Sequence, residues 1–265
     1  MGLFILGKSK IQNPKFKIDK PIIVVPARMA STRFPGKPLC DLLGKPMIQW
    51  VVEACHRSGV TDRVVVATPD SEIVQACREF GAEAILTRND HPSGTDRIAE
   101  VAEREKADFY INVQGDEPLI DPATIAACAR PLIEHPGVVM ASVCAPCPDR
   151  ELENPAVVKV VTDLHGDALY FSRFPIPYPR TPRSRPAKKH VGIYAYRREA
   201  VLAFAGWPVT PLEATESLEQ LRFLENGVRI RMTEGSGTPV AVDTPEQAEL
   251  VRELLGSAPP SQFSS

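Results

Sequence analysis

Three cations stand close together just past a short apolar run near the start of the chain. Residues 22–38 read IIVVPARMASTRFPGKP, with Arg28, Arg33 and Lys37 among Ser31, Thr32, Pro35 and Gly36 and little in that stretch that packs. Guanidinium and ammonium groups, hydroxyls and exposed backbone N–H groups converging on one loop suit a polyphosphate. Ile22–Val25 are β-branched throughout, the pattern of a strand covered on both faces. A loop at the carboxyl end of a first parallel strand is where open α/β sheets take ligands. A solvated basic loop is the plainer alternative. Two other phosphate loops are excluded. G-x-G-x-x-G is absent, and Gly36-Lys37 is followed by Pro38 with no earlier glycine at the Walker spacing.

Carboxylates complement the cations. INVQGDEP, residues 111–118, runs from a strand pattern into Gln114, Gly115, Asp116 and Glu117. A carboxylate at a strand's carboxyl end, across the sheet from a phosphate loop, suits a magnesium ligand, and the glycine allows close approach of substrate to backbone. Many strand-Gly-Asp turns are ordinary turns. VAVDTP, residues 240–245, offers Asp243 after a short apolar strand and before a helix. Asp243 or Thr244 either caps that helix or, in the case of Asp243, supplies a second magnesium carboxylate. In HPSGTDR, residues 91–97, Ser93, Gly94 and Thr95 open a helix, so N–H groups and hydroxyls converge to hold a base edge or ribose, or simply to cap. In the second half, Arg173, His190, Tyr194, Glu213, Glu219 and Gln220 are polar candidates. His190 and Tyr194 are even-spaced on a strand and share a face, though such residues also serve cores and interfaces.

The elements that must position these groups alternate. Strands are expected at Ile22–Val25, Arg63–Ala67, Glu83–Leu86 and Phe109–Val113. Helices are expected at Met47–Arg57, from Asp70 or Ser71 as cap to Phe80, at Thr95–Lys106 and at Pro122–Glu134. This order argues an α/β fold with a parallel sheet and helices on both faces. Beyond residue 137 the pattern loosens: strands at Val138–Cys144, Val157–Thr162, Ala168–Ser172, His190–Tyr196 and Val228–Met232, an amphipathic helix over Thr215–Asn226 and a final helix over Pro245–Leu255. Pro175–Lys189, proline-rich and basic, reads as a loop. The expected organisation is an N-terminal extension over residues 1–20, disordered; one domain over 21–256, with 150–215 as an elaboration; and a tail over 257–265.

Composition narrows the class. The 265 residues carry 31 Lys and Arg against 33 Asp and Glu, a formal charge of −2, which argues against nucleic acid as a partner. No apolar stretch is long enough for a bilayer span, and the N-terminal pattern matches neither a secretory signal nor myristoylation. Six cysteines include a lone C-x-x-C at Cys144 and Cys147 without a second pair or histidines at zinc spacing, so inert thiols and a reducing, cytoplasmic setting are expected.

Taken in order, PARMASTRFPGKP, TRNDHPSGTDR, NVQGDEP, VVKVVTD, ALYFSR, HVGIYAY, PLEATESLEQLR and VDTPE resemble the 3-deoxy-manno-octulosonate cytidylyltransferase family over most of residues 21–255. The resemblance implies a Rossmann-like nucleotidyltransferase fold, with a mixed, mostly parallel sheet and a dimerisation elaboration. It implies a homodimer that converts CTP and 3-deoxy-D-manno-octulosonate (Kdo) to CMP-Kdo and pyrophosphate with Mg2+, for lipopolysaccharide synthesis. By position, Arg28, Ser31, Arg33 and Lys37 would hold the triphosphate, and Ser93, Gly94 and Thr95 the cytidine. Gln114 would stand between nucleotide and sugar, and Asp116 and Asp243 would bind Mg2+. Arg173, His190, Tyr194, Glu219 and Gln220 would form the sugar pocket. The loop between Arg173 and His190 is shorter than in familiar members, which alters the lid over the sugar or the dimer surface. Rival readings are another acidic sugar (8-amino-Kdo or sialic acid), an NAD-dependent oxidoreductase, disfavoured by the missing glycine fingerprint, and a nucleotide sensor without catalysis.

Overall fold

The computed structural model describes residues 21–181, 186–236 and 240–257. The expected N-terminal extension lies outside them, as does the tail from residue 258 and part of the proline-rich loop. In chain order come β1 (Ile22–Pro26), the two-residue strands β2 (Asp41–Leu42) and β3 (Lys45–Pro46), α1 (Met47–Arg57), β4 (Val64–Thr68), α2 (Ser71–Glu79), β5 (Glu83–Leu86), α3 (Gly94–Arg104), β6 (Phe109–Asn112) and α4 (Pro122–Glu134). The second half adds β7 (Met140–Pro146), α5 (Asp149–Leu152), β8 (Lys159–Thr162), β9 (Ala168–Ser172), β10 (Lys188–Arg197), α6 (Arg198–Gly206), α7 (Pro211–Glu216), α8 (Gln220–Glu225), β11 (Arg231–Glu234) and α9 (Pro245–Ser257).

The main sheet runs β11-β7-β10-β6-β1-β4-β5. Strands β5, β4, β1 and β6 are parallel, β10 is antiparallel to both β6 and β7, and β11 runs parallel to β7. The chain builds outward from β1 through β4 to β5 and then returns to place β6 on β1's other side. That reversal opens a crevice at the carboxyl ends of β1 and β6.

The two-residue period of the central strands divides the core. Ile23 and Val25 of β1, Val64 and Val66 of β4, and Phe109 and Ile111 of β6 face one layer with α1, α2 and α4. Ile22 and Val24, Val65 and Ala67, and Tyr110 face the other with α3, α6 and α8. Burial on both faces explains why these strands read as unbroken apolar runs. A smaller cluster joins Leu42, Met47 and Trp50 to Val242, Ala248, Val251 and Leu255. It docks α9 against the β2–β3 hairpin and α1, which carries Asp243 to the crevice.

Three expectations are corrected. The single helix over Thr215–Asn226 is two helices, α7 and α8, because Ser217 takes a left-handed conformation (φ 52°, ψ 52°). A capping box between Thr210 and Glu213 starts the first helix earlier, at Pro211. Arg173 stabilises the break by donating from Nε to the Glu216 carbonyl (2.7 Å) and from Nη2 to the Ser217 carbonyl (3.2 Å), a cation at a helix carboxyl end. Residues 240–242 form no strand; Val242 N–H instead donates to the Asp116 carbonyl at 2.8 Å. The last helix continues to Ser257, two residues beyond its expected end. Helix α6 was not foreseen, since its AVLAFA run lacks a polar face to set a helical period.

Candidate active site

The loop after β1 is pinned at both ends. Ala27 N–H donates to the Ala67 carbonyl (3.0 Å) and Gly36 N–H to the Met29 carbonyl (2.9 Å). Gly36 has φ of 74°, a conformation that favours glycine, and it turns the chain so that the 3₁₀ turn Lys37–Leu39 points Lys37 back into the crevice. Lys37 Nζ lies 2.7 Å from Asp116 Oδ2, 3.0 Å from Asp243 Oδ1 and 3.1 Å from the Val242 carbonyl. Burial lowers the Lys37 pKa, but the charge of Asp116 and the hydrogen bonds to both carboxylates outweigh it and hold the ammonium above its ordinary value. Arg33 Nη2 reaches Asp243 Oδ2 at 3.0 Å. Two carboxylates far apart in the sequence, Asp116 and Asp243, thus meet over one cation.

Each carboxylate is fixed from behind. Gly115 lies against β1 so closely that a Cβ there would sit 2.8 Å from the Pro26 carbonyl oxygen and 3.3 Å from Ile48, so the strand-Gly-Asp sequence is a packing requirement at this point. Beyond it, Gln247 Oε1 accepts from Asp243 N–H (2.7 Å) and Thr244 N–H (3.0 Å), while Thr244 Oγ1 accepts from Gln247 N–H (3.4 Å). Thr244 and Gln247 therefore cap α9 between them, leaving the Asp243 carboxylate for Lys37 and Arg33.

These groups line a cavity of about 390 Å³ that includes Arg28, Ser31, Arg33, Lys37, Ser93, Gly94, Gln114, Asp116 and Asp243. His91 and Arg97 also line it. Arg97 is buried and donates to Thr87 Oγ1 and to the Arg88 carbonyl. Ser93 Oγ accepts from Asp96 N–H, capping α3. Four cationic side chains around one pocket, with a helix amino end on its wall, can bind a nucleoside triphosphate and stabilise the charge that gathers on departing pyrophosphate.

A second cavity, about 230 Å³, is lined by Thr95, Asn112, Tyr194, Ser217, Glu219 and Gln220, and Gly94 and Gln114 line both cavities. Gln114 Nε2 donates to Asn112 Oδ1 at 2.9 Å. Thr95 Oγ1 donates to Glu219 Oε2 at 2.7 Å. Burial pushes the Glu219 carboxyl above its ordinary pKa, against the lowering effect of its hydrogen bonds from Thr95 and Ser93. Tyr194 Oη donates to Gln220 Oε1 at 3.1 Å, whereas the buried Gln220 Nε2 has no partner. The left-handed Ser217 makes this wall possible: it ends α7 and turns Glu219 and Gln220 toward β10.

The family model described as Cytidylyltransferase matches residues 22–230. A 3-deoxy-manno-octulosonate cytidylyltransferase of Syntrophotalea carbinolica is 51% identical over 239 residues, 86% of this chain and 95% of that protein. The chain belongs to the 3-deoxy-manno-octulosonate cytidylyltransferase family. A member from Escherichia coli is 47% identical over 90% of this chain and 97% of its own. A solved CMP:2-keto-3-deoxy-manno-octonic acid synthetase complexed with CTP superposes with a TM-score of 0.87 at 47% identity, covering 89% of this chain and 98% of that one. The mixed α/β nucleotidyltransferase architecture is thereby established.

Against the family's expected site, the structure gathers Arg28, Ser31, Arg33, Lys37, Ser93, Gly94, Gln114, Asp116 and Asp243 at the first cavity, and Thr95, Gln114, Tyr194, Glu219 and Gln220 at the second. Arg173 and His190 line neither. Arg173 is spent on the Glu216, Ser217 and Pro155 carbonyls. His190 Nε2 meets Ser142 Oγ at 2.9 Å, and its ring packs 5.0 Å from Phe171 and 5.3 Å from Tyr194. Burial of the imidazole lowers its pKa to about 3, so it stands as a neutral support behind Tyr194. Glu213 forms a buried pair with Arg222 and is absent from both cavities. The sequence alone does not single out Arg97, Asn112 and Ser217. Arg97 ends HPSGTDR, which is the signal that could find it; Ser217 has the pattern of an ordinary helical position. All six cysteines are free thiols and five are buried, with burial raising the Cys144 pKa, consistent with packing.

Proposed function

We propose that this chain transfers the cytidylyl group of CTP to Kdo, giving CMP-Kdo and pyrophosphate. The observation that carries the reading is the cationic cavity closed by Asp116 and Asp243 and sharing Gly94 and Gln114 with a second, polar cavity. Arg28, Ser31, Arg33 and Lys37 bind the triphosphate, with Arg97 beside them, and their charges favour the transition state in which pyrophosphate departs. Ser93 and Gly94 hold the cytidine; Thr95, expected beside them, instead lines the second cavity, where it donates to Glu219. The sugar acid occupies the second cavity, where Tyr194, Glu219 and Gln220 orient it. Gln220 Nε2 is a buried donor awaiting an acceptor; leaving one unmet costs about 1–3 kcal/mol. Held there, the anomeric hydroxyl of Kdo attacks the α-phosphorus in line with the leaving group. The reaction calls for no covalent nucleophile on the protein, since positioning and charge stabilisation suffice. Arg173 and His190 act from behind the sugar wall, the first by holding the α7–α8 break and the second by supporting Tyr194.

Magnesium fits the donor set. Among the described residues no cluster of three or more ligating side chains exists, but Mg2+ commonly takes one or two carboxylates and completes its shell with phosphate oxygens and water. The Lys37 ammonium between Asp116 and Asp243 marks a place where a cation is stabilised. Asp116 and Asp243 would hold the ion, which neutralises phosphate oxygens and acidifies the attacking hydroxyl when bound. With the carboxylates engaged in that way, Lys37 would serve the triphosphate, in the same cavity.

A cytoplasmic homodimer is what the family resemblance implies, and no helix among the described residues is long and apolar enough to cross a membrane. The test is pyrophosphate release with each nucleoside triphosphate against Kdo, 8-amino-Kdo and sialic acid. CTP with Kdo is expected to turn over fastest. Faster turnover with another pairing, or nucleotide binding without pyrophosphate release, overturns the proposal.

A further inference from the structure

We propose that Asp70 is a positioning residue for the nucleotide, its carboxylate holding the loop of residues 27–37 in the shape that presents Arg28, Ser31, Arg33 and Lys37. The inference rests on that loop binding the triphosphate. Asp70 sits between β4 and α2, where its type and place predict a helix cap. Its side chain makes no capping bond to α2. Asp70 Oδ2 instead accepts from Met29 N–H at 2.7 Å, across 41 residues of sequence. The carboxylate reaches the backbone directly after Arg28.

The surrounding bonds make this contact a clamp. Asp70 N–H donates to Thr68 Oγ1 at 3.1 Å, fixing the turn from which the carboxylate projects. Met29 is then held on both sides, its N–H by Asp70 and its carbonyl by Gly36 N–H at 2.9 Å. Those bonds set the path of the chain between Arg28 and the Ser31–Arg33 segment.

A carboxylate beside a triphosphate site works against anion binding, so its presence needs a compensating use. Two are visible. The clamp is one. The other is charge balance: Arg28 and Arg97 line the same cavity, Arg97's pKa is lowered by burial and by the Arg28 charge, and Glu100 and Asp70 oppose that lowering. Asp70 thus tempers the repulsion between two guanidinium groups that face one ligand.

The two uses separate in substitutions. Asp70→Ala removes both. Asp70→Asn keeps an acceptor for Met29 N–H and removes only the charge. Because Asp70 caps nothing, neither variant loses a helix cap. Asp70→Ala is expected to raise the KM for CTP about tenfold, the weight of one hydrogen bond to a charged group, and to leave the KM for Kdo unchanged. Amide hydrogen exchange is expected to rise in the peptide spanning residues 27–37 and nowhere else. Asp70→Asn is expected to return both readouts to within about threefold of wild type. The proposal fails if Asp70→Ala leaves CTP binding and loop exchange at wild-type levels. It fails equally if KM rises for both substrates with exchange increased across the whole sheet, or if Asp70→Asn behaves as Asp70→Ala. A wild-type protein that releases no pyrophosphate from CTP and Kdo counts against the proposed function, and the loop-exchange comparison still decides the clamp.

Discussion

Replacing Lys37 with methionine should move two properties of the protein in opposite directions. The ammonium lies 2.7 Å from Asp116 Oδ2 and 3.0 Å from Asp243 Oδ1, with side-chain exposures of 15%, 30% and 35% for the three groups. A hydrogen bond between charged partners contributes about 1.5–3 kcal/mol. Solvent reaches about a third of each carboxylate, and halving the sum of two such bonds leaves about 1.5–3 kcal/mol. Arg33 remains on Asp243 at 3.0 Å but is 66% exposed, so it compensates little. A divalent ion entering the nucleotide-free wild-type protein must displace Lys37 against that energy. In Lys37→Met it need not, and affinity for Mn2+ as a probe should rise about 10- to 100-fold, since about 1.4 kcal/mol is one decade. Turnover should fall about 100-fold, because a charge stabilising the transition state is gone. Electron paramagnetic resonance titration of free Mn2+ gives the first number and pyrophosphate release the second. Unchanged Mn2+ affinity alongside reduced turnover would refute the idea that Lys37 occupies the metal's place.

Three further outcomes follow from the same geometry. Asp116→Asn should cut pyrophosphate release at saturating magnesium by at least about 100-fold, and near-normal turnover would defeat the metal role. Glu213→Ala strands Arg222 in the core beside α7 and should cost about 3–5 kcal/mol, read as a fall of about 10 °C in the thermal midpoint. His190, with its pKa lowered by burial to about 3, should show no ring titration by NMR between pH 5 and pH 8. The unfolded chain takes up that proton below about pH 6.5 and the folded chain does not, so folded stability should decline as pH falls from 6.5 toward 3, and His190→Gln should flatten that part of the profile.

The nucleotide half was legible because its strands are buried on both faces and its helices present one apolar stripe each. Runs such as IIVV and VVVA leave no other reading, and α1, β5 and α4 begin and end where their sequences predict. The cationic loop and Asp116 were legible for the same reason, since each follows a buried strand directly. The second half was harder because long-range contacts decide it. The chain leaves the helix at Ser217, where Arg173, 44 residues away, takes the carbonyls that the helix end leaves open. Asp243 appeared to follow a strand because residues 240–242 are apolar, but Ala241 is exposed, while Val242 is buried in the cluster that joins α1 to α9 and donates its N–H to the Asp116 carbonyl. Asp70 reads as a helix cap in sequence because local rules carry no knowledge of a loop arriving from β1.

On the proposed mechanism, one crevice activates CTP through Asp116 and Asp243 while a sugar acid waits in the adjoining cavity. Magnesium-dependent pyrophosphate release from CTP and Kdo, measured for wild type, Asp116→Asn and Asp243→Asn with matched thermal midpoints, tests it most directly. Rapid release by wild type, strictly requiring both substrates and lost in both variants, is the predicted result. Release that survives in either variant, or proceeds without Kdo, would contradict it.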